Sequence, residues 1–244
     1  MSKYYSIPPK LYDDQFWWKK DDIEFWKSLF INNNKTVLEF AAGTGRLALP
    51  LIREGIIYSG VEISNKYVDY ANKKNNLTSI IQGDMRYVDL NQTFDCVFIG
   101  FNSFSHLLNS SDVLLFLDVV KRHMHAGSHF YIDVFIPRPS FLYRSKKKKQ
   151  KIMDFFDSDI QKDARIEETL NYDEKTEIIS IHWNYIDSKG KTYRSFKFQM
   201  KAYYPDTMNR FLVDCGFHIQ NIWGTYDLTP LNNDSGLQIY DCVL

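Results

Sequence analysis

At 244 residues the chain is long enough for one α/β domain or two small ones with a buried core. Thirty basic and thirty acidic residues cancel, so no net field draws it to nucleic acid or an anionic membrane. Its 44% apolar and 25% charged residues are those of a globular protein, and no apolar run nears the roughly 18 residues that cross a bilayer. Cys96, Cys215 and Cys242 lie far apart in apolar stretches and are expected as buried thiols of a reducing compartment. The opening MSKYYSIPPK lacks the apolar core of a secretory leader, which points to the cytoplasm.

In chain order, residues 1–35 hold three of the five tryptophans and read as an N-terminal helical cap. Phe16, Trp17, Ile23, Phe25, Trp26, Leu29 and Phe30 share a helical face or straddle a kink. Tyr12, Trp17 and Trp18 have a second reading, as an aromatic segment that closes over a ligand and excludes water. From 36 to 135, short β-rich runs (TVLEFA, IIYSGVEI, SIIQGD, FDCVFIGF, HFYIDVF) alternate with helical segments. That alternation predicts βαβ units and a parallel sheet. The nearly continuous apolar run from Asp95 to Phe101 suits a central strand covered on both faces.

Residues 140–163 are rich in charge, with lysines from Lys146 to Lys149, and read as a solvated loop or helix face ahead of an anion site. Three alternating segments follow and predict an antiparallel meander, with Ile179, Ile181 and Trp183 on one face and Ile178, Ser180 and His182 on the other. After Pro205 a helix runs to Gly216, and HIQNIWGTYDL and GLQIYDCVL read as two strands that complete the main sheet. The division expected is a core of 36–139 and 205–244, with 140–204 inserted as a lid that carries substrate specificity.

The chemistry concentrates in TVLEFAAGTGRLALP, residues 36–50, a strand, a glycine turn and a helix start. Backbone N–H groups at such a turn receive nucleotide-like ligands. Gly43, Gly45 and Ala48, with Glu62 ending the next strand, fit a dinucleotide-binding fingerprint, so a nicotinamide dehydrogenase stays open. Glu39 argues against it. An acid four residues before the glycines repels a pyrophosphate and suits a cationic group such as an ammonium.

On Glu39-Phe40-Ala41-Ala42-Gly43-Thr44-Gly45, Glu62 in GVEIS and Gly83-Asp84-Met85 in IIQGDM, the chain resembles the class I S-adenosylmethionine-dependent methyltransferases. Asp22-Ile23-Glu24-Phe25-Trp26, Gln82 to Arg86, Phe101 to Leu107 and Asp133 to Pro137 are similar to a bacterial small-molecule and natural-product subset. The resemblance implies a Rossmann-like seven-stranded sheet whose last strand pair is antiparallel. It implies S-adenosylmethionine as cofactor and S-adenosylhomocysteine as product. Glu39 would neighbour the methionine amino group, Glu62 would hold the ribose hydroxyls, and Asp84 and Met85 would frame the adenine. Cofactor contacts would also come from Ala41, Gly43, Gly45, Arg46, Ile63, Gly83, Phe101, Tyr12 and Trp18. Ala41 stands where the motif has its first glycine, which a methyl group tolerates if the backbone keeps a negative φ.

His106 follows the fourth strand, beside the expected methyl. As a neutral imidazole with a pKa near 6.5 it is a candidate base for an attacking amine or hydroxyl, with a substrate hydrogen-bond partner, or a helix-start residue that touches neither, as the alternatives. Trp17, Asn102, Tyr203, Tyr204 and Tyr226 are candidate substrate contacts, each with core packing as the alternative. No histidine pairs with cysteine or acid at metal-ligand spacing, so no metal site is expected. The partner expected is a small-molecule methyl acceptor, with nucleic acid disfavoured, no membrane, and a monomer or homodimer. A methyltransferase acting on RNA or a peptide, and a non-catalytic binding protein on this fold, are the other readings.

Overall fold

The computed structural model describes residues 6–31, 35–76, 78–144 and 149–244. The chain divides into two compact units. One takes residues up to 19, 106–108 and 137–202; the other takes 20–105, 109–136 and 203–244.

The larger unit is a seven-stranded sheet with helices. Its elements are α2 (Asp21–Phe30), β1 (Thr36–Phe40), α3 (Ala48–Arg53), β2 (Ile57–Glu62), α4 (Asn65–Asn75), β3 (Ile80–Gln82) and β4 (Phe94–Ile99). Then come α5 (Ser110–Arg122), β5 (Met124–Phe135), α7 (Pro205–Asp214), β10 (His218–Trp223) and β11 (Leu237–Val243). The strand order is β10-β11-β5-β4-β1-β2-β3, parallel from β5 to β3, with β11 antiparallel to both its neighbours. The central strands are buried on both faces, which is why β1 and β4 read as nearly unbroken apolar runs. Asn109 caps α5 by accepting the Asp112 N–H at 2.9 Å. The core joins Phe25, Trp26 and Phe30 of α2 to Val37, Cys96, Phe98 and Tyr131 of the sheet. Cys96 and Cys242 are buried as expected, whereas Cys215, at the end of α7, is only half-buried.

The smaller unit holds α1 (Pro9–Gln15), α6 (Pro139–Leu142) and the meander β6 (Gln150–Asp157), β7 (Lys162–Asp173), β8 (Ile178–Asp187) and β9 (Thr192–Lys201), paired antiparallel in that order. Ile179, Ile181 and Trp183 share the buried face of β8, as alternation predicts. The charge-rich stretch 140–163 departs from its expectation in part: it begins in the short helix α6, but from Gln150 it supplies a fourth strand, β6, in place of the expected loop or helix face. Its charges hide it because β6 is an edge strand, where lysine and aspartate keep the open backbone edge from pairing. Of the lysine run, Lys146 to Lys148 lie outside the described residues.

Within residues 1–35, α1 belongs to the meander unit and α2 to the sheet unit. Lys10 bonds Asp159 at 3.0 Å, and Asp14 accepts from the Ser158 N–H and hydroxyl at 2.9 and 2.6 Å, contacts made across more than a hundred residues of chain. No helix of the described residues is long and apolar enough to cross a membrane.

Candidate cofactor-binding site

The glycine turn joins β1 to α3. Ala41, Gly43 and Gly45 lie at φ of +57°, +58° and +69°, and the Gly45 N–H closes the turn on the Ala42 carbonyl at 2.9 Å. The two glycines do different work. A Cβ on Gly45 would run into Ile80 at 2.9 Å, so this glycine serves packing. On Gly43 it would meet nothing nearer than the Ala41 carbonyl at 3.9 Å, so the backbone there borders open space. Ala41 corrects an expectation: its φ is positive, not negative. The reversal of the chain after Phe40 requires the left-handed region, and the methyl group accepts the strain.

Glu39 is buried in β1, opposite Gly60 in register, and its carboxylate accepts the Tyr58 hydroxyl at 2.5 Å. Gly60 makes that bond possible, since a Cβ there would come within 2.8 Å of the same phenol oxygen. Burial pushes the Glu39 carboxyl up to about 8, against the Tyr58 hydrogen bond and the charge of Arg46; Asp22 and Glu62 add to the rise. Burial likewise drives the Tyr58 hydroxyl well above its ordinary range, with Glu39 adding to it.

Glu62, at the end of β2, is equally buried, with its carboxylate held between the Gly43 N–H (3.0 Å) and the Ser64 N–H (2.9 Å). Burial raises its pKa and those backbone donors oppose the rise. Each oxygen keeps a lone pair for a ligand hydroxyl. Glu39 and Glu62 sense each other's charge, and among the described residues neither makes an ion pair.

Asp84 stands differently. Arg86 grips its carboxylate at 3.0 and 2.6 Å and reaches Asp112 at 2.6 Å with its other terminal nitrogen. Burial pushes the Asp84 pKa up, but the Arg86 bonds and charge prevail and hold the carboxyl below its usual value. Gly83 donates to the Glu62 carbonyl at 2.9 Å, Met85 is buried and Ile63 half-buried.

At the end of β4, Phe101 and Asn102 both occupy the left-handed region, at φ +51° and +62°. Two consecutive non-glycine residues there mark real backbone strain. The support comes from β5: fully buried Asp133 accepts the Phe101 N–H at 3.1 Å, its carbonyl takes the Asn102 N–H at 3.2 Å, and Asn102 Oδ1 accepts the Phe135 N–H at 2.7 Å. The Tyr226 hydroxyl donates to Asp133 at 2.6 Å. The Arg46 guanidinium lies 5.3 Å over the Phe101 ring and binds Asp22 of α2 with both terminal nitrogens, at 2.7 and 2.6 Å.

The sheet unit thus holds Glu39, Ala41, Gly43, Gly45, Arg46, Glu62, Ile63, Gly83, Asp84, Met85, Phe101, Asn102, Tyr203, Tyr204 and Tyr226. Tyr203 is a correction: its ring is wholly buried, 4.9 Å from Phe104, so it is core and not substrate surface. Tyr204 caps the start of α7 with its carbonyl, and Asn102 and Tyr226 serve as struts to β5.

Tyr12, Trp17, Trp18 and His106 belong to the meander unit. Tyr12 packs on Phe16 at 4.8 Å; Trp17 is 62% exposed on the wall of an open cleft of about 760 Å³ with Asp13, Asp154 and Phe156; Trp18 is 47% exposed. His106 Nδ1 lies 3.4 Å from the Gln199 carbonyl, which makes it the protonated nitrogen and leaves Nε2 as an acceptor. Burial lowers its pKa to about 4, not the 6.5 of a free imidazole, so it is neutral at pH 7 but a weaker base than expected.

Sequence reasoning missed Tyr58, although Tyr58 and Gly60 sit two apart on a strand beside Glu39, the spacing that puts both on one face. It also missed Glu168. Ala164, Ile166, Glu168 and Leu170 alternate along β7, so Glu168 falls on the buried face, where Trp183 Nε1 donates to it at 2.6 Å and Arg144 pairs with it.

Residues 37–127 match the family model described as methyltransferase domain. A Geobacillus protein named as a methyltransferase is 32% identical over 83 residues, 32% of this chain. The matches to curated relatives span only 34% and 42% of those proteins' own length. Among solved structures, the CcbJ methyltransferase of Streptomyces caelestis superposes with a TM-score of 0.77 at 20% identity, over 96% of this chain and 98% of that one. The sugar N-methyltransferase KedS8 of Streptoalloteichus gives 0.72 at 16% identity, over 98% and 93%. Residues 37–127 thus match a methyltransferase domain, and the fold of the chain is that of these solved methyltransferase structures.

Proposed function

We propose that this chain transfers a methyl group from S-adenosylmethionine to a nitrogen of a small molecule, a metabolite or natural product of the cytoplasm. One observation carries the reading: Glu39 and Glu62 lie buried at the carboxyl ends of adjacent strands with no counter-cation of their own among the described residues, beside backbone that opens at Gly43. Ionising a buried acid without a cation is costly, which is why burial raises both carboxyls; a ligand ammonium supplies the cation that Glu39 lacks, and ribose hydroxyls fill the open lone pairs of Glu62. The cofactor, when bound, supplies a methyl group on a cationic sulfur.

Glu39 would hold the amino group and Glu62 the two ribose hydroxyls. Met85 and Ile63 would wall the adenine, with Asp84 fixed by Arg86 at its edge. Arg46 and Phe101 would border the methionine end, and Tyr12 and Trp18 would exclude water. His106 would take a hydrogen bond from the acceptor through Nε2, and Trp17 and Tyr204 would touch the acceptor. The meander unit would choose the acceptor. Orientation alone supplies much of the acceleration in such a displacement. KedS8 bears the name of a sugar N-methyltransferase, which supports nitrogen over oxygen.

The test supplies methyl-labelled cofactor and cell extract to the purified protein. Label in the small-molecule fraction, on nitrogen by mass spectrometry, is the expected result. Label confined to RNA or peptide, or stabilisation by NAD(H) and not by S-adenosylhomocysteine, overturns the reading.

A further inference from the structure

Three carboxylates, Asp22, Glu39 and Glu62, and one guanidinium, Arg46, meet in the electrostatics of Glu39. The groups that face Glu39 are Asp22 from α2, Arg46 from the turn before α3, and Tyr58 and Glu62 from β2. How that single positive charge is shared decides what the pocket accepts. Arg46 directs both terminal nitrogens at Asp22, in the paired geometry that fixes a guanidinium most firmly. Asp22 is wholly buried in the first turn of α2, where the helix dipole also favours its negative charge. The guanidinium is further fixed over the Phe101 ring. Glu39 therefore feels Arg46 only through space and takes its hydrogen bond from the neutral Tyr58 phenol.

We infer that Asp22 is a positioning residue that sets the charge selectivity of the pocket: by holding Arg46 it reserves Glu39 for an ammonium group of the ligand. The inference rests on the cofactor reading above and deepens it. Arg46 released from Asp22 would turn to Glu39, neutralise it and make the pocket hospitable to anions. Held by Asp22, it leaves the ligand's own amine to neutralise Glu39. Capture has a proton consequence. Glu39 carries a proton up to about pH 8, and pairing with an ammonium requires the carboxyl O–H bond to break. That proton passes to the buffer while the ligand ammonium keeps its own three.

The experiment is calorimetric titration of the full chain near pH 7 in phosphate and in Tris, whose ionisation enthalpies differ. The two ligands are S-adenosylhomocysteine and 5′-methylthioadenosine, a neutral nucleoside thioether without the amino-acid group. The wild type is expected to release close to one proton with the first ligand and none with the second. In Asp22→Asn, affinity for S-adenosylhomocysteine falls by roughly tenfold or more and proton release by at least about half, while methylthioadenosine binds as before. Asp22→Glu restores most of both. Equal weakening of both ligands would reduce Asp22 to a prop of the fold and overturn the inference. Unchanged affinity of Asp22→Asn for S-adenosylhomocysteine also overturns it and leaves the cofactor reading standing. A wild type that binds neither ligand overturns both.

Discussion

In the meander unit, buried Glu168 is closed off by the Arg144 guanidinium and the Trp183 indole, whereas in the sheet unit Glu39 and Glu62, at 6% exposure against 5%, are held by a phenol and by backbone N–H groups. Equal burial therefore carries opposite meanings. A buried acid already paired with a cation and a donor is complete and serves to tie the segment after α6 to β7 and β8 of its own unit. One held only by neutral donors is oriented yet electrostatically unfinished, and that is a property of a binding pocket.

The largest expected effect breaks the finished acid. Glu168→Ala leaves a buried guanidinium and an indole N–H without their partner, and the loss should be about 3–5 kcal/mol of stability, read by denaturant unfolding. Affinity of the folded variant for S-adenosylhomocysteine should stay unchanged. The opposite sign is expected for an unfinished acid. Glu39 titrates near 4.3 in an unfolded chain and at about 8 in the folded one. With a raised folded value, the native state keeps a proton that the unfolded state gives up between those two pH values. Stability is then full below about pH 4 and declines as pH rises through about 8. Glu39→Gln, which still accepts from Tyr58 and cannot ionise, should gain about 2–4 kcal/mol at pH 8 and nothing at pH 4, while losing S-adenosylhomocysteine binding. A variant less stable at pH 8 would mean that Glu39 is finished after all.

Glu62→Ala should weaken S-adenosylhomocysteine binding by about thirtyfold or more, because two ligand hydrogen bonds go with it. It also orphans the Gly43 and Ser64 N–H groups, so some stability follows. Unchanged affinity by calorimetry removes Glu62 from the site. For His106→Ala, turnover should fall about tenfold with binding of S-adenosylhomocysteine retained. Because burial holds the imidazole at about 4, the wild-type rate should show no inflection from His106 between pH 5.5 and 8. A midpoint near 6.5 that vanishes in the variant would restore it as an ordinary base.

The contrast between the units also marks how far the sequence could be read. The parallel strands were legible because burial on both faces leaves a continuous apolar signature, as in FDCVFI, and the glycine turn because Gly43 and Gly45 sit where positive φ is required. β6 was not, since an edge strand is free to carry charge, and neither was the membership of α1, which depends on Lys10 and Asp14 meeting residues more than a hundred positions away. Tyr203 and Tyr226 show another limit: a tyrosine near a predicted pocket looks the same whether it is core, strut or ligand contact. Glu39 and Glu62 were legible as acids at strand ends, but that Asp22 withholds Arg46 from Glu39 depends on a helix and a turn 24 residues apart.

The smallest effect tests backbone strain in both units. Ala41, in the glycine turn, and Gln161, between β6 and β7, have left-handed backbones at φ +57° and +55°. An L-residue pays about 1–2 kcal/mol there, and glycine gives back about 0.4–1 by loosening the unfolded chain. Ala41→Gly and Gln161→Gly should each therefore gain roughly 0.5–1 kcal/mol, a rise in Tm of about 2 °C for a chain of this size. Their ligand readouts should part. Gln161 lies in an exposed hairpin turn, so its variant leaves S-adenosylhomocysteine affinity alone, whereas removal of the Ala41 methyl alters backbone beside the open face of Gly43 and should shift affinity by a few-fold at most. Equal affinity in both variants would place the cofactor away from the Ala41 side of the turn, and a fall in Tm for Ala41→Gly alone would mean that the methyl contributes packing that outweighs its strain.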